Sequence, residues 1–403
     1  MSWPTLPISQ VCSHVVDCVN RTAPIVDYQT PYKMLRTTNV RGGFVDAENV
    51  RYVTLETYER WTRRLVPERG DVFLTREAPL GDVGRLTSDD KVFLGQRLFH
   101  YRADPEKMDG RFLAYALQST AVQGWIRGAG MGATVEHARV GDFHKIPVPV
   151  PPKEAQTKIG DILSAYDDLI GNNRRRIALL EEAARMLYRE WFVHFRFPGH
   201  EHVKIIDGLP EGWERLCASD AFEVNPRMPR DDDGTITYVP MAALSEVGMV
   251  VDLTPFEKRQ ATTSVRFRNG DTLFARITPC LENGKTGFVQ FLADDEVACG
   301  STEFIILRGR TVSNFFVYLT AREPGFRENA VRSMIGSSGR QRVQPSCFDR
   351  YFVAVPPDLL RTLFDDAVGG MFKQIANLDN QNRKLAQARD LLLPRLMNGE
   401  IAV

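Results

Sequence analysis

Hydrophobic positions recur in alternating steps of four and three along residues 153–195: Ile159, Leu163, Tyr166, Ile170, Asn173, Ile177, Leu180, Ala184, Leu187 and Trp191. That spacing keeps one stripe on one face of an α-helix for about five heptads, the pattern of a coiled coil. A helix of about 40 residues would run roughly 60 Å at 1.5 Å per residue. Adding 205 to each number gives Phe364, Val368, Met371, Ile375, Leu378, Asn382, Leu385, Arg389, Leu392 and Leu396. The second seam repeats the first in register, so a second long helix is predicted over 358–397. Each seam carries a single Asn, Asn173 in one and Asn382 in the other.

If the helices pair antiparallel with Asn173 opposite Asn382, facing residue numbers sum to 555 and every seam residue meets a seam residue. Ile159 then faces Leu396, Leu163 faces Leu392, Ile177 faces Leu378, and Trp191 faces Phe364. Tyr166 faces Arg389, which predicts a cation–π contact. A buried Asn pair fixes register at some cost in stability, so a central Asn173–Asn382 hydrogen bond is expected. The alternative is that each helix packs elsewhere and both Asn side chains are solvated.

The repeat extends beyond the helices. Ile146–Pro147–Val148–Pro149–Val150–Pro151–Pro152 returns as Tyr351–Phe352–Val353–Ala354–Val355–Pro356–Pro357, each copy ahead of a long helix. Gly70–Asp71–Val72–Phe73–Leu74–Thr75–Arg76 returns as Gly270–Asp271–Thr272–Leu273–Phe274–Ala275–Arg276, and both are followed by a Pro (Pro79, Pro279) and a Gly (Gly84, Gly284). A half of this size is a domain plus a helix, too long for a solenoid repeat. The stretches before each helix mix strand-like runs, glycine turns and short helical pieces such as Phe112–Gln118, the texture of an α+β domain. Four segments follow: a globular domain over 1–145, a helical spacer and linker over 146–212, a second domain over 213–350, and a second spacer over 351–403. The fold class expected is α+β, two globular domains separated by two long antiparallel coiled-coil helices, with a pseudo-twofold internal repeat.

Composition narrows the function. With 43% hydrophobic residues in 403, packed cores are affordable for at least two domains. No apolar run is long enough to span a membrane, the opening Met1–Ser2–Trp3–Pro4–Thr5 lacks a signal-peptide pattern, and the six cysteines show no disulfide framework. A cytoplasmic location is expected. Cys12, His14 and Cys18 are close together but lack a second ligand pair, so no metal is expected. No phosphate-binding loop, nucleophile elbow, zinc-protease motif or dinucleotide fingerprint occurs. A reader or scaffold is therefore favoured over an enzyme, with no cofactor held by this chain. The 51 basic and 51 acidic residues balance overall, yet residues 327–350 hold five arginines against two acids in a Gly- and Ser-rich stretch.

The helix sequences carry a resemblance. The first reads Pro151–Pro152–Lys153–Glu154–Ala155–Gln156, then Ile170–Gly171–Asn172–Asn173–Arg174–Arg175–Arg176–Ile177, and closes on Leu187–Tyr188–Arg189–Glu190–Trp191–Phe192. Phe195–Arg196–Phe197–Pro198–Gly199 and Pro210–Glu211–Gly212–Trp213 follow, and the chain ends Leu392–Leu393–Pro394–Arg395–Leu396–Met397–Asn398–Gly399–Glu400–Ile401. Together these closely resemble the DNA-specificity subunit of type I restriction–modification systems, over the whole chain. One departure is Lys153–Glu154–Ala155–Gln156, where the family often has Leu-x-Glu-Gln.

The resemblance implies two target recognition domains, each reading one half of a split DNA sequence, with the helices fixing the gap. It implies a non-catalytic chain that binds double-stranded DNA and two modification subunits. Those carry S-adenosylmethionine and methylate adenine; restriction subunits using ATP and Mg join the full complex. On this reading, base contacts are sought among polar loops able to enter the major groove. The leading candidate is Ser337, Ser338, Gly339, Arg340, Gln341 and Arg342, with the first-copy counterpart Gly132–Ala133–Thr134–Val135–Glu136–His137, preceded by Arg127 and followed by Arg139. The second candidate pairs Arg76 with Arg85 and Arg276 with Lys285; Arg76 and Arg276 could equally hydrogen-bond carbonyls within their own domains. The competing function is a scaffold with two protein-binding domains on a coiled coil and no DNA. Salt-dependent duplex binding separates the two.

Overall fold

The computed structural model describes residues 3–130, 139–228, 234–260, 264–337 and 339–403. The chain divides into two compact units, Met1–Ile170 with Arg383–Val403, and Gly171–Asn382. Both long helices contribute residues to both units. The first runs Lys153–Tyr188 and ends in one π-helical turn, Arg189–Val193; the second runs Asp358–Met397. Each places an acid in its first turn, Glu154 and Asp358, where the helix dipole favours negative charge. The second stops at Gly399, whose φ of +69° is a left-handed conformation that glycine adopts without a Cβ clash.

In the first unit the central sheet has the order Cys12–Asp17, Leu98–Ala103, Val72–Arg76, Leu80–Arg85, Gly43–Val45, Val40–Arg41. A three-stranded sheet joins Arg51–Tyr52, Tyr32–Leu35 and Lys91–Leu94, the last two parallel. Helix Gly110–Gln118, capped by Asp109, covers the central sheet and is buried on most sides. Gly84 sits where the backbones crowd: an added Cβ would come within 2.4 Å of the Phe44 carbonyl oxygen.

The second unit repeats this plan. Its main sheet runs Phe222–Val224, Phe304–Gly309, Thr272–Ala275, Thr286–Phe288, the same order as the first four strands of its counterpart. A companion sheet joins Glu257–Gln260, Thr235–Val239, Ala298–Gly300 and Val265–Phe267. The peptide bonds before Pro79 and Pro279 are both cis. Each unit also closes on itself through its Pro-flanked strand. Pro147–Pro149 pairs with Thr5–Pro7, and Phe352–Val355 pairs with Glu214–Cys217. The segment edges drawn at 145/146 and 350/351 therefore fall just before strands that hydrogen-bond back into the preceding domain.

The seams are buried as their periodicity requires. Ile159, Leu163 and Leu396 join the first unit's core with Phe99, Phe112 and Phe143. Ala184, Trp191, Phe364, Val368 and Ile375 join the second unit's core. Trp191 and Phe364 lie 5.7 Å apart between ring centroids, the pairing expected from antiparallel register. Every fully buried Leu, Ile or Phe on these seams contributes about 1.5–3 kcal/mol relative to exposure.

Two expectations for the seam are corrected. Asn173 and Asn382 form no hydrogen bond among the described residues: Asn173 is buried, and the enclosed Oδ1 of the half-buried Asn382 has no hydrogen-bond partner. Arg389 does not stack on Tyr166. It bonds to the buried Asp167, one position along the helix, and to Asp390. A desolvated carboxylate attracts a guanidinium more strongly than a ring face does, so the ion pair takes the side chain.

Candidate nucleic-acid interface

The repeated Gly-Asp pair turns out to belong to the frame. Asp71, 4% exposed, accepts two bonds from Arg102, Nε at 2.9 Å and a terminal nitrogen at 2.8 Å, and one from His100 Nε2 at 2.6 Å. Asp271, fully buried, accepts the same fork from Arg308 at 2.6 and 2.8 Å. In each unit the carboxylate also takes the backbone N–H three residues earlier, Glu68 and Arg268, both at 2.8 Å. The acid thus clamps an arginine on the adjacent strand and closes its own turn. Burial pushes the Asp71 carboxyl up, but Arg102 and His100 outweigh it and hold it down at about 2. Burial lowers the His100 pKa, with Asp71 opposing, and its Nδ1 is enclosed without a partner.

The arginines after these strands sit differently in the two units. Arg276 donates to the Val343 carbonyl at 3.2 Å, and Lys285 to the Met241 carbonyl at 3.3 Å. Both cations hold loop backbone in the second unit. Arg76 and Arg85 end the paired strands Val72–Arg76 and Leu80–Arg85 and are half-buried.

The Gly/Ser loop of the second unit is built as a tight turn. Ile335 and Arg342 exchange backbone hydrogen bonds at 3.1 and 3.0 Å, closing the loop between them. Gly336 and Gly339 have φ of +136° and +76°, values that favour glycine. The Arg340 N–H donates to the Ser337 carbonyl at 3.0 Å, and the Gln341 N–H to Thr278 Oγ1 at 3.1 Å. Ser337 and Arg340 are exposed, whereas Ser338 lies outside the described residues. Arg342 is exposed but engaged: Glu303 receives its Nε at 2.9 and 3.0 Å and a terminal nitrogen at 2.6 Å. Among the described residues the Arg340 side chain meets no acid, while Arg342 is aimed by Glu303.

In the first unit Arg127 is exposed in the last turn of helix Thr120–Ala129, and Arg139 is exposed just before the turn Asp142–His144. His137 falls within 131–138, outside the described residues. Sequence reading did not find Arg102, Arg308 or Glu303. Their roles depend on which strands are neighbours, and no local motif marks that. Among the described residues no group of three or more His, Cys, Asp or Glu is placed to hold a metal ion. Among the described residues no helix is long and apolar enough to cross a membrane.

Comparison with known proteins agrees with this architecture. Residues 32–182 match the family model described as the type I restriction modification DNA specificity domain. The MjaIX specificity subunit of Methanocaldococcus jannaschii is 22% identical over 368 residues, 88% of this chain and 82% of that protein. The EcoEI specificity subunit of Escherichia coli is 30% identical over 155 residues, 37% of this chain and 26% of that one. Among solved structures, the S subunit of a type I restriction–modification system from M. genitalium superposes with a TM-score of 0.56 at 16% identity, covering 98% of this chain and 96% of that one. This last likeness is one of fold. The duplicated α+β units, the paired helices and the matched domain lead to one conclusion: residues 32–182 are a type I restriction modification DNA specificity domain, and the chain is similar to type I specificity subunits over most of its length.

Proposed function

We propose that each unit reads one half of a bipartite sequence in double-stranded DNA, with domains over 1–145 and 213–350 doing the reading and the two helices setting the gap. The observation that carries this is the duplication itself: two units with the same strand order, each with its own core, each supplied with cations on loops beside that core. A pseudo-twofold chain presents two similar faces, so it can recruit two copies of one partner. Those partners are modification subunits, which bring S-adenosylmethionine and methylate one adenine per half-site. Restriction subunits, with ATP and Mg, complete the assembly in the cytoplasm. This chain contributes no catalytic group; it positions DNA for its partners.

Arg340, Arg342 and Gln341 are the proposed contacts of the second unit, and Arg127 and Arg139, with His137, those of the first. Arg276 supports the second loop through the Val343 carbonyl, and Arg76, Arg85 and Lys285 are proposed as further contacts beside the strands that bear them. Asn173 and Asn382 lie at the middle of the seam as register residues.

The test is duplex binding by the complex assembled with modification subunits, measured against salt. Phosphate contacts release counterions, so affinity should fall linearly on a log–log plot. Arg340→Ala should weaken binding and, if Arg340 meets a phosphate, reduce the slope by about one. Affinity independent of salt would favour the protein scaffold instead. Deleting seven residues from both helices together should shorten the unspecified gap and leave both half-sites intact.

A further inference from the structure

Strand Glu257–Gln260 is the edge of its sheet, and all four of its residues are exposed. A strand that buries neither face contributes little to the core, so its side chains are not chosen for packing. They are nonetheless organised. The Arg259 guanidinium lies 3.5 Å from the Tyr238 ring centroid, and Glu257 holds its Nε at 2.8 Å. Lys258 Nζ donates to Thr237 Oγ1 at 2.8 Å. Charges on an edge strand also discourage edge-to-edge pairing, but that role requires charge alone. It does not require a guanidinium pinned between a ring and a carboxylate.

The same arrangement occurs in the first unit. There the edge strand Arg51–Tyr52 pairs antiparallel with Tyr32–Leu35, which runs parallel to Lys91–Leu94. In the second unit Glu257–Gln260 pairs antiparallel with Thr235–Val239, which runs parallel to Ala298–Gly300. Both ribbons carry exposed cations, Arg51 in one and Lys258 and Arg259 in the other, while Lys33 of the first ribbon is taken by Asp90 at 2.6 Å and Lys91 sits on the adjoining strand. Lys91 lies 5.6 Å over the Tyr32 ring. The scaffold is shared while the side chains differ, which is what reading two different half-sites demands.

The ribbon also adjoins the candidate loop. Ser301 donates to the Val239 carbonyl at the end of the central strand, and Glu303, two residues on, holds Arg342. Ribbon and loop hang on one turn.

We infer that the two-stranded ribbon Thr235–Val239/Glu257–Gln260 is a DNA-reading element of the second unit, entering the major groove with Arg259 and Lys258 toward bases and phosphates. The major groove accepts a two-stranded β-ribbon, and arginine pairs bidentately with guanine. This rests on the functional reading above and adds to it a site that the Gly/Ser loop does not include.

The experiment uses the chain assembled with its modification subunits, mapping methylated adenines and measuring affinity for the mapped duplex. The double variant Lys258→Ala/Arg259→Ala should lose affinity by about tenfold or more and should change or degrade one half of the motif only. Arg259→Lys keeps the charge but not the planar fork; it should restore most of the affinity while discrimination at one base pair stays reduced. Thermal unfolding should show both variants still folded, with at most a small loss from the exposed contacts to Tyr238, Glu257 and Thr237. Wild-type motif and wild-type affinity in both variants would overturn the ribbon while leaving the functional reading intact. A wild-type complex with no salt-dependent DNA binding would overturn both.

Discussion

The Tyr318 hydroxyl donates to Glu181, 2.7 Å away and 137 residues earlier in the chain. Glu181 is 4% exposed, and the same carboxylate accepts Arg185 at 2.8 Å and the Met249 N–H at 2.8 Å. One acid on the first long helix therefore gathers a helix of the second domain, a loop of that domain and its own helix neighbour. The first unit has a comparable hub, in which the buried Asp167 meets Tyr115 and Arg389.

Removing Glu181 should leave the Tyr318 hydroxyl and the Met249 N–H without their acceptor, while Arg185 keeps the Val247 carbonyl. Glu181→Ala is expected to destabilise the second unit by about 3 kcal/mol, whereas Tyr318→Phe, which removes a donor and leaves an acceptor with two other partners, should cost about 1 kcal/mol. Urea unfolding checks both. A Glu181→Ala variant within about 0.5 kcal/mol of wild type, the range of ordinary surface changes, would show the hub to be idle.

Part of the acid sensitivity should trace to Asp71. Its folded pKa, about 2, lies below the usual carboxylate value, so the stability it contributes is fully present above about pH 4 and is lost as pH falls toward 2. The expected loss is about 2 kcal/mol. His100, also depressed by burial first, adds a separate limb: below its ordinary value near 6.5 the unfolded chain takes the proton more readily, and stability falls there too. Asp71→Asn should be less stable at pH 7 and should show a smaller loss between about pH 4 and 2, with Asp46, Asp90 and Asp104, also held below the usual carboxylate value, supplying the remainder. A variant whose acid limb matches the wild type would contradict the clamp.

The long helices were legible because a period of alternating four and three over ten positions has one structural solution. The observed second helix, Asp358–Met397, matches the predicted span. The strand–Asp–strand frame was visible as a repeat, but the partners of Asp71 and Asp271 were not. Arg102 and Arg308 reach them only because the sheet places Leu98–Ala103 beside Val72–Arg76, and Phe304–Gly309 beside Thr272–Ala275. The Asn pair failed for a related reason. Periodicity puts two residues on facing stripes, while a hydrogen bond also needs the amides to be turned toward each other. The ribbon cations Lys258 and Arg259 give no local signal at all; a four-residue run of polar side chains reads as a solvated loop.

Asn382 offers a direct test of its place in the seam. Its enclosed Oδ1 lacks a partner, so Asn382→Leu should remove an unsatisfied acceptor and raise stability by about 1 kcal/mol. Asn173→Leu should behave in the same direction if the polar pair serves register and not strength. Urea unfolding of the two variants and their double mutant measures this; destabilisation by Asn382→Leu would show that the amide is engaged in solution.

The central claim is that two duplicated units read two halves of one DNA target. Its most direct test is to co-express the chain with modification subunits and map methylated adenines across the host genome. The account predicts a split motif with an unspecified gap and one modified adenine in each half. A single uninterrupted motif, or none from a soluble and fully assembled complex, would contradict it.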